Sequence, residues 1–117
     1  MTVQELKNKA TWEMKDLTLD ALLLLGYLIV SESVDEAVSA TDAYVIGDFE
    51  GVRKYEALAG VQRFQESNSK LQHPMFQKWL KQTIAWLLWH RGCAVYMQKH
   101  APGLDWSKHD RTDASSQ

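Results

Sequence analysis

His90 and Cys93 are the two residues whose types and spacing come closest to a metal-binding or reactive site. They lie three positions apart, so on a helix both side chains face roughly the same direction. A zinc site needs about three or four such ligands. The chain has four histidines and one cysteine, and no two histidines have the spacing of a zinc motif. We therefore expect neither a metal site nor another cofactor.

Cys93 is also the only thiol that could serve as a nucleophile. Nucleophilic catalysis requires an activating base and a partly open, electropositive site around the thiolate. The helical spacing puts Cys93 on one stripe with Trp79, Trp86 and Met97, which predicts burial instead. The sequence also lacks a glycine-rich phosphate loop. We therefore predict that the protein is not an enzyme.

A second chemical pattern lies in residues 75–99, which we predict to form one long helix that begins at Pro74 and ends near His100. One side carries two basic and two aromatic residues together with a glutamine, namely Lys78, Gln82, Trp89, Tyr96 and Lys99. Indole and phenol faces between ammonium groups suit the stacking of bases and the contact of phosphates in a single strand. The alternative is that Trp89 and Tyr96 pack beneath a neighbouring helix and only the lysines reach water.

This pattern predicts a nucleic-acid-binding surface that combines two aromatic side chains with basic residues of this helix and the preceding one. Its members are Lys78, Lys81, Trp89, Arg91, Tyr96, Lys99, Arg53, Lys54 and Arg63. The expected ligand is RNA or single-stranded DNA. The other side of the helix carries Trp79, Leu80, Trp86, Leu87 and Ala94, which we expect to be largely buried against residues 22–30.

Residues 32–50 hold six acidic side chains and neither lysine nor arginine. The acidic residues are Glu32, Asp35, Glu36, Asp42, Asp48 and Glu50. Their spacing does not match a calcium-binding loop, and a solvated helix face is the simplest interpretation. The functional alternative is a protein interface that mimics nucleic-acid phosphates. The protein would then be a small helical factor of phage or mobile-element type that inhibits a host complex, with Trp89 or Tyr96 as an interface anchor.

The formal net charge of −2 divides unevenly along the chain. Residues 1–51 hold three basic and ten acidic side chains, a net −7, whereas residues 52–117 hold ten basic and five acidic ones, a net +5. If the two parts occupy opposite ends of the molecule, this polarity favours head-to-tail self-association and contact with an anionic partner. If both parts interleave in one bundle, the charges neutralise locally.

The whole chain is predicted to be all-α, a single-domain bundle of four to five helices with a long central C-terminal helix. Only two prolines and six glycines interrupt 117 residues, and helix-start signals recur at Thr2 with Glu5, at Ser33 with Glu36, and at Asp48. We assign residues 1–104 to the bundle and residues 105–117 to a polar C-terminal tail. The sequence 44–47 is the only run that resembles a short strand.

The longest apolar run extends from Ala21 to Val30 and is ten residues long, about half of what a membrane-spanning helix needs. It predicts a buried helix rather than a membrane anchor. A single cysteine leaves no internal disulfide and suits a reducing compartment. We therefore expect a cytoplasmic protein that does not bind membranes.

Residues 84–97 resemble the final helix of the small α-helical subunit of type III CRISPR effector complexes. That family tends to end in a helix with a tryptophan, a basic residue and small or apolar residues at helical spacing, and Trp89, Arg91, Ala94 and Met97 match this pattern. The resemblance implies a bundle that stacks along a larger ribonucleoprotein complex. It also implies that basic residues contact the backbone of guide or target nucleic acid.

Overall fold

The computed structural model describes residues 2–45, 49–93 and 103–104. These residues form five α-helices, one 3₁₀ turn and no strand. The helices are α1 (Val3–Asp16), α2 (Leu19–Ser31), α3 (Val34–Tyr44), α4 (Val52–Ser67) and α5 (Pro74–His90), and the 3₁₀ turn spans Ser69–Gln72. The predicted all-α bundle of four to five helices is confirmed, and α5 is the longest of the described helices, with 17 residues.

Helices α1 and α3 begin at the predicted helix-start signals, and α2 begins at Thr18 between them. The Thr2 hydroxyl accepts a hydrogen bond from the Glu5 N–H, and the Glu5 carboxylate accepts one from the Thr2 N–H, which completes the predicted capping box. Thr18 caps α2, so the chain restarts there rather than continuing α1. Ser33 caps α3 by accepting a hydrogen bond from the Glu36 N–H.

Helix α4 begins after Gly51, which has a φ of 71°. The predicted cap at Asp48 lies outside the described residues, as does Gly47. Helix α5 begins at Pro74 as predicted, and His73 serves as its N-cap.

Helix α2 is the most apolar of the described helices. Every residue from Ala21 to Tyr27 is buried, which confirms the buried helix predicted from the apolar run. A helix that is apolar on all sides must be covered on all sides, and α2 packs against α3, α4 and α5. Helix α1 lies further out and packs against α4 and α5. None of the described helices is both long and apolar enough to cross a bilayer.

Helix α5 ends at His90 rather than near His100, because the chain turns back at Gly92. The Cys93 N–H donates to the Leu88 carbonyl at 2.9 Å, and the Gly92 N–H donates to the Trp89 carbonyl at 3.0 Å. With a φ of 80° at Gly92, these two bonds form the Schellman motif that commonly closes helices. The predicted end of the helix is therefore wrong.

The predicted burial along α5 is only partly right. Leu80 and Leu87 are buried, and Trp79 is half-buried. Trp86 is 38% exposed, so its predicted burial is wrong. The buried face of α5 is centred near Ile84, and a residue two positions further on points about 200° away from it. Ala94 lies outside the described residues.

Truncation of the α2 core tests this arrangement. Leu24 is fully enclosed, so Leu24→Ala should lower the free energy of unfolding by about 2–5 kcal/mol. Val52 is exposed on α4, and Val52→Ala is the matched control that should change stability by less than about 0.5 kcal/mol. Chemical denaturation followed by circular dichroism measures both. Equal effects of the two substitutions would contradict the central position of α2.

Candidate nucleic-acid interface

Helix α5 lies in a stretch of sequence without negative charge. Residues 67–104 contain no aspartate or glutamate. The same stretch contains five basic residues, Lys70, Lys78, Lys81, Arg91 and Lys99. Basic side chains without neighbouring acids on the same segment produce a positive local potential that attracts anions.

An aromatic and basic cluster lies where α1 meets the end of α5. Its members, which we call the α1–α5 cluster, are Trp12, Lys15, Trp86, His90 and Arg91. The Lys15 ammonium lies 5.7 Å from the centroid of the Trp12 ring and 5.9 Å from that of the Trp86 ring. Both distances fit cation–π contacts. Trp12 is 70% exposed, so this indole reaches solvent beside the ammonium.

Contacts at both ends of α1 hold it against α5. Near the start, the Lys7 ammonium lies 5.5 Å from the Trp79 ring centroid. Near the end, the Arg91 guanidinium donates a hydrogen bond of 2.9 Å to the Lys15 carbonyl. A cation at that carbonyl also stabilises the negative end of the α1 dipole. The order of these contacts indicates that α1 and α5 run side by side in the same direction.

His90 contacts two of the three tryptophans of α5. Its ring meets the Trp86 ring edge to face, with centroids 4.3 Å apart, and meets the Trp89 ring in the same manner at 5.1 Å. Trp89 is half-buried and packs against the hydrophobic core. The tryptophans most open to solvent near this end of α5 are therefore Trp12 and Trp86, not the predicted Trp89.

The structure divides the predicted basic residues among several places. Lys78 is exposed on α5, whereas Lys81, one turn further along the same helix, is half-buried. On α4, Arg53 makes two hydrogen bonds of 2.9 Å to the two carboxylate oxygens of Asp20, and Lys54 is half-buried.

The other predicted basic positions lie elsewhere or are not described. Arg63 is exposed and borders a cleft at the junction of α1 and α2. Arg91 belongs to the α1–α5 cluster. Tyr96 and Lys99 lie outside the described residues. Of the predicted set, the cluster therefore contains Arg91, with Trp89 beside it.

The predicted acidic face is open to solvent. The described members, Glu32, Asp35, Glu36, Asp42 and Glu50, are all exposed. Within the described ranges, ion pairs join Lys9 to Glu13 and Arg53 to Asp20, and none involves this acidic face. Asp48 lies outside the described residues.

The Asp20–Arg53 pair joins the acidic and the basic part of the sequence, so at this point the charges neutralise locally. The same two parts also meet where α1 packs on α4 and α5. Head-to-tail self-association stays a prediction.

A polar network fixes α1 against the end of α4. The Lys9 ammonium donates to the Ser67 carbonyl at 2.9 Å and pairs with the Glu13 carboxylate at 3.0 Å. The Asn68 amide, which is 2% exposed, donates to Glu13 at 2.8 Å and to the Phe64 carbonyl at 3.0 Å. Because Lys9 and Glu13 lie on α1 together with Trp12 and Lys15, the network helps to position the cluster.

Sequence reasoning missed four members of the cluster, Trp12, Lys15, Trp86 and His90, as candidates for nucleic-acid contact. The three-residue spacing of Trp12 and Lys15 places both on one helix face, which is a usable local signal. Their proximity to α5 has no local signal, because it depends on how α1 packs.

His90 and Cys93 are the two residues whose spacing in the sequence comes closest to a pair of metal ligands. In the structure Cys93 is buried and His90 is exposed. Among the described residues, no group of three or more histidine, cysteine, aspartate or glutamate side chains is arranged to hold a metal ion.

Glu13 should make stability depend on pH. Burial raises the pKa of its carboxyl group, but the hydrogen bonds from Lys9, Asn68 and Ser67 and the Lys9 charge outweigh burial, and the pKa falls below its ordinary 4.5. A lowered pKa means that the carboxylate stabilises the fold above about pH 4.5 and that this contribution is lost as pH falls through the folded-state pKa. Glu13→Gln should therefore be less stable than the natural chain at pH 7, and the difference should shrink in acid.

The size of this difference should stay below about 1 kcal/mol, because the Glu13 side chain is about one-third exposed. Urea unfolding of both proteins at pH 7 and at pH 3 measures it. Glu50→Gln, at an exposed position outside the network, is the control. A difference that grows in acid would contradict the assignment.

No protein-family model matches the chain, and no curated protein and no solved structure matches it either. The resemblance of residues 84–97 to a CRISPR small subunit therefore stays a prediction.

Proposed function

We propose that the protein binds single-stranded nucleic acid without catalysing a reaction, and that the α1–α5 cluster is its contact surface. The observation that carries this proposal is the Lys15 ammonium beside two indole rings that reach solvent, Trp12 and Trp86. A ligand that satisfies such a surface must offer both flat apolar rings and negative charge. Unpaired nucleotides offer both.

The aromatic and the basic residues of the cluster would contact different parts of a nucleotide. Bases stack on indole faces, and each such contact contributes about 1–3 kcal/mol. The Lys15 ammonium and the Arg91 guanidinium supply positive charge for phosphates, and Arg91 is already fixed by its bond to the end of α1. Stacking requires bases that are not enclosed in a duplex, so a single strand should bind more tightly than a double strand.

We also propose that the protein binds nucleic acid as part of a larger complex. The resemblance of residues 84–97 favours a helical subunit within a larger RNA-guided, CRISPR-type complex. Trp89 and Arg91 carry that resemblance among the described residues, and Arg91 belongs to the cluster. Partners would be other proteins of a ribonucleoprotein complex and its RNA or displaced DNA strand.

Titration with a fluorescein-labelled 20-nucleotide oligothymidine tests the contact surface. Trp12→Ala should weaken binding about 5- to 150-fold if a base stacks there. Tyr55→Ala is the matched control, because Tyr55 is an aromatic residue that is 76% exposed on α4 and lies outside the cluster. Lys15→Gln should weaken binding and flatten the salt dependence by about 0.7 in log–log slope, whereas Lys70→Gln should leave the slope unchanged.

The proposal fails if the oligonucleotide does not bind in 20 mM salt. It also fails if Tyr55→Ala weakens binding as much as Trp12→Ala. A protein that binds normally after Trp12→Ala, Trp86→Ala and Lys15→Gln would bind nucleic acid elsewhere.

The acidic face supports a second candidate function, a protein interface that mimics phosphates and inhibits a host complex. The observation in its favour is the exposure of Glu32, Asp35, Glu36, Asp42 and Glu50, which form no ion pair within the described ranges. Such a protein should compete with DNA for a basic partner and should not bind the oligonucleotide itself. The same titration therefore separates the two functions.

A further inference from the structure

A groove opens on a different side of α5 from the α1–α5 cluster. It has a volume of about 610 Å³ and lies between α2, the end of α4, the 3₁₀ turn and the start of α5. Apolar residues from every side contribute to its lining, among them Leu25, Leu28, Ile29 and Leu80, and the amide side chains of Gln65, Asn68, Gln72 and Gln77 line it as well. This volume is within the range of about 300–1,000 Å³ that ligand sites occupy. We call it the α2–α5 groove.

The groove and the cluster face different directions. Lys81 borders the groove, and Trp86 belongs to the cluster. Five positions separate them along α5, which corresponds to about 140° around the helix axis. A ligand in the groove therefore does not occupy the surface proposed for nucleic acid.

The rim of the groove is charged unevenly. Glu32 and Val34 form one edge, and Val34 is 53% exposed. Beyond this edge, the first turn of α3 adds two exposed carboxylates, Asp35 and Glu36. Lys81 is the basic residue that lines the groove, on the α5 side. The apolar floor thus continues directly into an acidic border.

We propose that the α2–α5 groove binds an amphipathic helix of a partner protein, with apolar side chains on the floor and lysine or arginine side chains over Glu32 and Asp35. Apolar residues at positions i, i+3, i+4 and i+7 of such a helix form a continuous stripe, which is the surface that binds to an apolar groove. Basic residues beside that stripe complement the carboxylates at the edge, and this complementarity selects the partner by charge.

Charge also argues against the other occupants. Phosphates would meet Glu32, Asp35 and Glu36 at the border, so nucleic acid is disfavoured there. An acidic helix would be repelled in the same way. The proposal does not depend on nucleic-acid binding by the cluster, since it rests on other residues.

A model peptide tests the groove in the full-length protein. The probe is a fluorescein-labelled 15-residue peptide of leucine and lysine with leucine at i, i+3, i+4 and i+7, and its binding is followed by fluorescence anisotropy. We expect saturable binding. The double substitution Glu32→Lys with Asp35→Lys should weaken binding about fivefold or more. Glu50→Lys, which makes the same charge change at an exposed acid outside the groove, should leave binding within about twofold.

The apolar contribution is tested on both partners. Leu28→Gln places an amide on the floor and should weaken binding, and circular dichroism checks that this variant remains folded. Val34→Ser changes an exposed rim residue and keeps the test informative if Leu28→Gln unfolds the protein. A peptide with serine in place of leucine should not bind.

Four results would overturn the proposal. They are the absence of saturable binding at 100 µM peptide, equal binding of the serine peptide, equal binding of a leucine–glutamate peptide, and equal weakening by Glu50→Lys. Self-association that Val34→Ser or Leu28→Gln abolishes would instead assign the groove to a second copy of this chain. A negative oligonucleotide titration would not affect any of these outcomes.

Discussion

The burial of α2 is the constraint on which the rest of the fold depends. Seven consecutive residues, from Ala21 to Tyr27, have almost no contact with solvent, so no side of this helix can face water. Helices α3, α4 and α5 cover it, and each of them directs its own apolar face inward. Their outer faces are then left for charged residues and for contacts with other molecules.

Helix α1 has a different role because α2 is already covered. Its attachment includes the buried residues Ala10 and Met14, but polar contacts at its edges are prominent, namely Lys9 and Glu13 with Asn68, and Arg91 with the Lys15 carbonyl. Polar contacts are directional, so they fix the rotation of α1 about its axis more closely than apolar packing alone. This rotation directs Trp12 and Lys15 toward the end of α5.

Local signals predicted most of the fold, whereas the site depends on packing. The caps at Thr2 and Ser33 and the burial of the leucine run follow from neighbouring residues. The exposure of Trp86 does not follow from neighbouring residues. Helix α5 is apolar on nearly all sides, so its sequence alone does not show which side packs against the other helices. Gly92 carried a signal that was misread, because a glycine within an apolar pattern can equally be a helix end.

The bond from Arg91 to the Lys15 carbonyl spans 76 positions of sequence, which has a consequence for when the cluster can exist. During synthesis α1 leaves the ribosome before α5, so its partner residues on α5 follow later. Long-range contacts of this kind form late, after shorter loops have closed. A nascent or truncated chain therefore has Trp12 and Lys15 but not the arrangement around them, and completion of the bundle determines when the surface is assembled.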